Sequence, residues 1–444
     1  MISEGATGRF PVGRETSVRT TVMNAGYLCA SVLLVISLIA AWRILGGGTL
    51  IGQDSATQFY PWYSYLGERL RDFDVPAWNP SQFSGAPFAG DPQSGWTYLP
   101  AMLTFTVLPL SVAVSFYLVF HLLLAGFGAF ALARVLGIGP IGALATGIAY
   151  ELSGPVFSRS ICCPAQLQVV SWTPVVLIGL EMAINRDTWV SRIRWMALAG
   201  FAMSQVVASW IGQGSYYVAL LGGGFLIYRG LLHPSDRDRP WRARAIIVGS
   251  TGFGVTMISA GLAAAGIISR LEYNRLSNLA GGVYQNEHAS AAVNGGWQAG
   301  QTVFREVNGD PYYMGSVVIA LATVSLLLTR GRFGTAFFSI VVLVGFVLSA
   351  SIQTPLHSFA YAVLPKFEDL HRHWPERVAM VGFIAIAVLA GAAVDALPGW
   401  VGRCKHLSAI ALVPLGILIS FEIGLRLAGD ALPAVVLGLS LIHI

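Results

Sequence analysis

Long apolar runs, each bounded by charge or by Gly and Pro, recur along almost the whole chain, and no water-soluble fold can absorb them. A helix needs about 17 to 25 apolar residues to cross a bilayer. Eleven such runs are legible, at 24–45, 111–134, 138–156, 166–184, 195–210, 214–231, 245–268, 313–328, 334–351, 378–397 and 407–427. Only 11% of the 444 residues are charged and the mean hydropathy is +0.65, whereas a soluble domain carries about 25% charged residues. Lipid offers the backbone no hydrogen-bond partner, so runs of this length must span as helices. The composition therefore predicts an all-α polytopic membrane protein. Residues 1–23 are polar, with Arg9, Arg14 and Arg19, and read as a cytoplasmic N-terminal tail before a retained signal anchor. Residues 24–444 then form a single transmembrane domain. The closing stretch 431–444 is apolar but too short to span, and reads as the mark of a truncated C-terminus.

Orientation follows from the arginines. With the N-terminus inside, 16 of the 27 basic residues fall on the cytoplasmic side, including the short loops Arg186–Arg194 and Arg330–Arg332, as the positive-inside rule requires. This holds only if the short apolar piece 97–108 does not span, and it is read as re-entrant or interfacial. Three long loops then lie outside, at about 46–110, 270–312 and 352–377, and hold most of the polar, acidic and His-bearing material. Function is sought on that face. The net charge of +5 is spread over short loops with no basic stripe, so no nucleic-acid partner is implied. Of the four cysteines, the adjacent Cys162 and Cys163 read as two small loop residues, with a vicinal disulfide as the alternative in an oxidising compartment.

The first outer loop carries the candidate chemistry. Asp54 follows the first span closely. A carboxylate there, shielded by Phe59, Tyr60, Trp62 and Tyr63, would hold its proton more tightly and serve as a general base. Residues 55–71 have helical periodicity, with Phe59, Trp62, Tyr63, Leu66 and Leu70 on one face, which predicts an amphipathic helix in the interface. Asp54 as the N-cap of that helix is the alternative. Asp91, within Gly90-Asp91-Pro92, is a turn residue first; as a second carboxylate it would orient an acceptor or help to hold a divalent cation. Asn79 is a turn residue or a ligand for a sugar hydroxyl. Gln213, between two glycines, sits in a tight outer turn that presents it to a polar ligand. Arg372 and Arg377 lie outside and near the membrane, where guanidinium forks suit a phosphate at headgroup depth; snorkelling to membrane lipids is the alternative. His371 and His373, two apart with no third partner, are a weak metal pair. Glu151 and Arg159 flank another outer turn and are candidates to pair. Asp395 and Glu422 read as interfacial charges rather than a proton relay.

The pattern Gly52-Gln53-Asp54, Gln58-Phe59-Tyr60-Pro61, Pro76-Ala77-Trp78-Asn79-Pro80, Gly85, Pro87, Asp91-Pro92-Gln93 and Tyr98-Leu99-Pro100 resembles the first outer loop of YfhO-like bacterial membrane proteins. These are similar to the GT-C superfamily of lipid-linked-sugar glycosyltransferases. Trp172-Thr173-Pro174, Gly212-Gln213-Gly214 and Arg372 to Arg377 fit the resemblance more loosely. It implies a GT-C-like bundle of about 11–12 transmembrane helices with a long first extracytoplasmic loop. It also implies a polyprenyl-phosphate sugar donor and a cell-envelope acceptor, whether glycan, lipid or protein. Asp54 would be the catalytic acid residue acting as base in an inverting transfer. Asp91, Asn79, Gln93 and Gln213 would support it or bind the acceptor, and Arg372 and Arg377 would hold the donor phosphate. No second acid stands beside Asp54, which speaks against a metal-dependent variant. A transporter or flippase and a non-catalytic assembly protein are the alternatives. The polar matter sits in outer loops rather than at mid-membrane, which favours the enzyme.

Overall fold

The computed structural model describes residues 12–46, 52–274, 312–350, 354–367, 370 and 375–403. The helices are α1 (Val12–Ala40), α2 (Trp42–Leu45), α3 (Tyr60–Arg71), α4 (Leu99–Val107), α5 (Leu110–Val135), α6 (Pro140–Glu151), α7 (Arg159–Cys162) and α8 (Pro164–Ile184). They continue as α9 (Trp189–Ser209), α10 (Gln213–Ile227), α11 (Trp241–Leu262), α12 (Ala264–Asn274), α13 (Ser316–Leu328), α14 (Phe333–Ala350), α15 (Pro355–Val363) and α16 (Met380–Arg403). The first outer loop adds a two-residue antiparallel hairpin, β1 (Trp78–Asn79) with β2 (Ala86–Pro87), so the chain is not purely helical. Among the described residues, four helical segments are long and apolar enough to cross a membrane: Leu110–Val135, Pro164–Ile184, Trp241–Leu262 and Glu376–Trp400. Asn24–Ala40, Ser316–Leu328 and Gly334–Ser349 are apolar but shorter. The expected run at 407–427 lies outside the described residues.

The piece read as non-spanning is the nine-residue α4, about 14 Å long at 1.5 Å per residue and so half the thickness of the hydrocarbon core. Pro109 then starts α5.

The bundle is built on α5, α6, α8 and α16. Helix α5 packs on α6 and α8, α8 on α9, α9 on α11, and α16 on α6, α13 and α14. Small residues set these distances: Gly142 meets the Gly391 carbonyl, and Gly179 meets Ala199. Helix α1 shows one buried stripe, Cys29, Leu33 and Ser37 at four-residue spacing, while Tyr27, Leu28, Val35 and Ile39 are exposed. Such an apolar outer surface suits contact with lipid.

Within α8, Pro174 has no N–H to give the Val170 carbonyl four residues earlier. The Tyr150 hydroxyl of α6 donates to that carbonyl at 2.9 Å, so the break in one helix is repaired by its neighbour.

Ionic contacts define one end of the bundle. Arg332, between α13 and α14, bridges Asp395 of α16 at 3.1 Å, and Asp395 also accepts the Gly139 N–H at the start of α6. Arg229 grips Glu181 at 3.0 Å at the same end, because α8 finishes there.

Candidate functional site

Helix α8 rises from Pro164 and α9 returns after a short turn, so Trp210 to Gln213 lies at the same end of the bundle as Cys163. The first outer loop caps this end. Its helix α3 and the turn before it bury Phe59, Trp62, Tyr63 and Leu66 not in lipid but against α4, α5 and the loop, with the Tyr63 ring 5.3 Å from that of Phe105 and 5.7 Å from that of Tyr117. Helix α3 comes this close because Gly67 lies on α4, where a Cβ would stand 2.1 Å from the Phe105 carbonyl oxygen.

Beneath the loop runs a buried polar network that the sequence reading did not single out. Gln168 donates to the Tyr63 hydroxyl at 2.7 Å and to the Tyr117 hydroxyl. Trp172 donates to the Tyr98 hydroxyl at 3.0 Å, and that hydroxyl meets His121 Nε2. His121 Nδ1 lies 2.7 Å from the Tyr117 carbonyl, which can only accept. Nδ1 therefore carries the proton, and Nε2 accepts from Tyr98. The four-residue spacings of Tyr117 with His121 and of Gln168 with Trp172 were the available signal, but only packing shows that they meet.

Asp54 stands at the head of α3. A π-helical turn, Ser55–Phe59, leads into that helix. The Gly52 N–H and the Ser55 hydroxyl both donate to the Ile161 carbonyl at 2.9 Å, which pins the backbone on either side of Asp54. A Cβ at Gly52 would sit 3.0 Å from Cys162 Cα, so the segment lies flat on α7. Asp54 is exposed and its side chain makes no capping hydrogen bond, so it is not the N-cap considered from the sequence. The aromatic shielding expected there is absent, because those rings point into the bundle. Cys162 and Cys163 are joined in a vicinal disulfide, not left as the two free loop residues expected, since the chain leaves helical geometry at Cys163 between α7 and α8.

Asp91 forms an Asx turn, its Oδ1 accepting from the Gln93 N–H at 2.8 Å. Burial pushes its carboxyl above the ordinary carboxylate value; the Gln93 N–H and the nearby Arg270 charge partly offset this. With a guanidinium beside it, Asp91 is poorly placed to hold a divalent cation. Gln93 is half-buried next to it. Asn79 is buried on β1, where its Oδ1 accepts from the Ser81 N–H at 3.0 Å. Among the described residues no three His, Cys, Asp or Glu side chains gather around a possible metal position.

Arg270 marks only a loop boundary in the sequence, yet it ties the cap to the bundle. It is buried and donates to four backbone carbonyls: Asp91 at 3.3 Å, Trp96 at 3.3 Å, Val207 at 3.0 Å and Ala208 at 2.8 Å. Val207 and Ala208 close α9, and carbonyls at a helix C-terminus lack partners within the helix and attract a cation. Burial lowers the Arg270 pKa to about 10, with Asp91 and Tyr63 acting in the opposite direction.

Two predicted residues 164 apart in sequence do come together. Arg377, in the 3₁₀ turn Pro375–Ala379, donates to Gln213 Oε1 at 2.9 Å and lies 5.1 Å above the Trp210 ring. Gln213 and Glu376 are buried beside it, and the Tyr216 hydroxyl joins the same region to the Pro365 carbonyl at 2.8 Å. Asp54 makes no hydrogen bond or ion pair with Asp91 or Arg377. Arg372, His371 and His373 lie outside the described residues. Glu151 accepts from Ser37 at 2.7 Å; the side chain of Arg159, its expected partner, is also outside the described residues.

No family model matches this sequence, and no curated protein matches it. Among solved structures the chain is similar to the archaeal oligosaccharyltransferase AglB from Archaeoglobus fulgidus in complex with an inhibitory peptide and a dolichol-phosphate. The TM-score is 0.50 at 12% identity, covering 90% of this chain and 54% of that one. The apo form of the Archaeoglobus fulgidus oligosaccharyltransferase gives a TM-score of 0.49 at 14% identity, covering 89% of this chain and 54% of that one. This chain thus spans about half the length of these neighbours. What the first of them shares with this chain is the fold of its helical bundle.

Proposed function

We propose that this protein is a membrane glycosyltransferase that moves a sugar from a polyprenyl-phosphate donor to a cell-envelope acceptor at the outer face of a bacterial cytoplasmic membrane. The observation that carries this reading is the assembly of Arg377, Gln213 and Trp210 at the end of the bundle where Asp54 is also exposed. Support comes from the fold shared with an oligosaccharyltransferase whose structure holds a dolichol-phosphate, and from the YfhO-like pattern of the first loop.

In this reading the Asp54 carboxylate takes the proton of the acceptor hydroxyl as its oxygen attacks the anomeric carbon. The bond from that carbon to the phosphate oxygen breaks, and the polyprenyl phosphate leaves with the electron pair. Arg377, oriented by Gln213, faces the growing negative charge, and Arg372 is the proposed second cation. Inversion follows from a single displacement.

Asp54→Asn in purified full-length protein tests the assignment. A general base contributes about 10²- to 10⁴-fold, so transfer from a polyprenyl-phosphate sugar should fall at least about a hundredfold while membrane insertion is unchanged. Transfer at the parent rate in that variant would remove Asp54 from the mechanism.

A further inference from the structure

At the opposite end of the bundle, the α8–α9 turn and the segment between α10 and α11 line an open cavity of about 290 Å³. Ile247 and Val248 form part of its apolar wall, and Arg229, Arg239 and Arg244 face it together with Asp187 and Asp236. The carboxylates are shared unevenly among these arginines. Arg229 is held by Glu181 at 3.0 Å, and Arg239 by Asp187 at 3.0 Å and Asp236 at 3.4 Å. Arg244 has no carboxylate; its Nη1 reaches only the Leu231 carbonyl at 3.3 Å, and its Nε is buried without a partner.

Behind it, Arg186 and Arg192 also bury an Nε with no partner. Their other contacts are a thioether, a carbonyl and the faces of Trp195 and Trp189. A buried guanidinium N–H without an acceptor is costly, and the acceptor it matches best is an oxyanion.

The depth of the cavity identifies the source of that oxyanion. Trp189 opens α9 and Trp241 opens α11, and both are more than half exposed at this end. Exposed tryptophans at the ends of apolar helices sit at headgroup level. From there α11 continues with Ile246, Phe253 and Met257 exposed, a lipid-facing surface.

We propose that this cavity binds the phosphate head of an anionic phospholipid in the adjoining leaflet. Arg244 is its principal cation, and Ile247 and Val248 lie along the upper part of the lipid. The site is separate from the proposed donor site and does not depend on glycosyl transfer. Free phosphate shares the headgroup chemistry but has nothing to place on the aliphatic wall.

The test uses the purified full chain, titrated with phosphatidylglycerol or phosphatidylcholine and read by native mass spectrometry. Phosphatidylglycerol should be retained in preference to phosphatidylcholine. Arg244→Gln should weaken its binding roughly tenfold, the loss of one charge-assisted hydrogen bond. Asp187→Asn should strengthen it, because Asp187 is exposed and competes for Arg239; misfolding cannot produce that gain. Millimolar inorganic phosphate should leave the lipid bound. Equal retention of both lipids, or both variants binding phosphatidylglycerol like the parent, would overturn the site. Full displacement by inorganic phosphate would overturn the lipid as its occupant.

Discussion

Asp91 and Arg270 show how a single buried charge can organise a loop. Arg270 spends its donors on four carbonyls, two from the first loop and two from the end of α9. Asp91 lies near enough to supply the compensating charge. Because burial raises the Asp91 carboxyl above its ordinary value of 3.8, the folded state holds that proton more tightly than the unfolded chain does. Its contribution to stability is complete below 3.8 and is lost as pH rises through the raised folded value. Asp91→Asn keeps an acceptor for the Gln93 N–H, so it should melt at a higher temperature than the parent at neutral pH. The advantage should shrink to nothing as pH falls toward 3.8, and a pH series of melting curves reads this directly. Arg377 is the other decisive residue. Arg377→Ala should raise the apparent KM for a polyprenyl-phosphate donor about tenfold or more, the worth of a charge-assisted hydrogen bond. Gln213→Ala, which removes the amide that aims the guanidinium but leaves the cation, should have a smaller effect in the same direction. Steady-state kinetics showing an unchanged KM in Arg377→Ala would separate Arg377 from donor binding.

Among the helices, α6 and α8 depend on each other through one hydroxyl. Pro174 frees the Val170 carbonyl and Tyr150 fills it. Tyr150→Phe alone should cost about 1–3 kcal/mol, the penalty for a buried acceptor left unpaired. Pro174→Ala restores the N–H that the carbonyl lacks, so the double variant should recover most of that loss. A double-mutant cycle on thermal or denaturant unfolding measures the coupling; additive effects would show that the hydroxyl and the proline are independent. The motif Trp172-Thr173-Pro174 was visible in the sequence, but its partner Tyr150 was not, because nothing in the spacing of two apolar helices says which faces meet. The same limit applies to α3. Its periodicity correctly marks Phe59, Trp62, Tyr63 and Leu66 as one face, yet that face docks on α4 and α5 rather than on lipid. An apolar stripe suits either neighbour equally, and the close approach allowed at Gly67 decides between them.

Across the whole molecule, the two ends differ in kind. One gathers the arginine-rich turns with Glu181, Asp187, Asp236 and Asp395. The other carries the first loop, Arg270 and the Arg377 turn. With α4 too short to cross, the arginine-rich end is expected to face the cytoplasm. Reporter tags inserted after Gln82 and after Asp238 check this in intact cells. The first should be accessible from outside and the second only after permeabilisation. The reverse labelling would invert the orientation and move Asp54 away from any extracytoplasmic substrate.

The sequence alone determined the apolar, helical class of the fold, the short apolar piece before α5, and the polar first loop. These are one-dimensional properties: apolar run length is set by bilayer thickness, and charge asymmetry is carried by short loops. Tertiary structure decided the rest. It paired Gln213 with Arg377, gave Asp91 to Arg270, repaired Pro174 with Tyr150, closed the Cys162–Cys163 bond, and left Asp54 exposed and uncapped. Each depends on which apolar face meets which, and in a chain that is apolar on nearly every face only close packing of small residues and a few buried polar groups makes that choice.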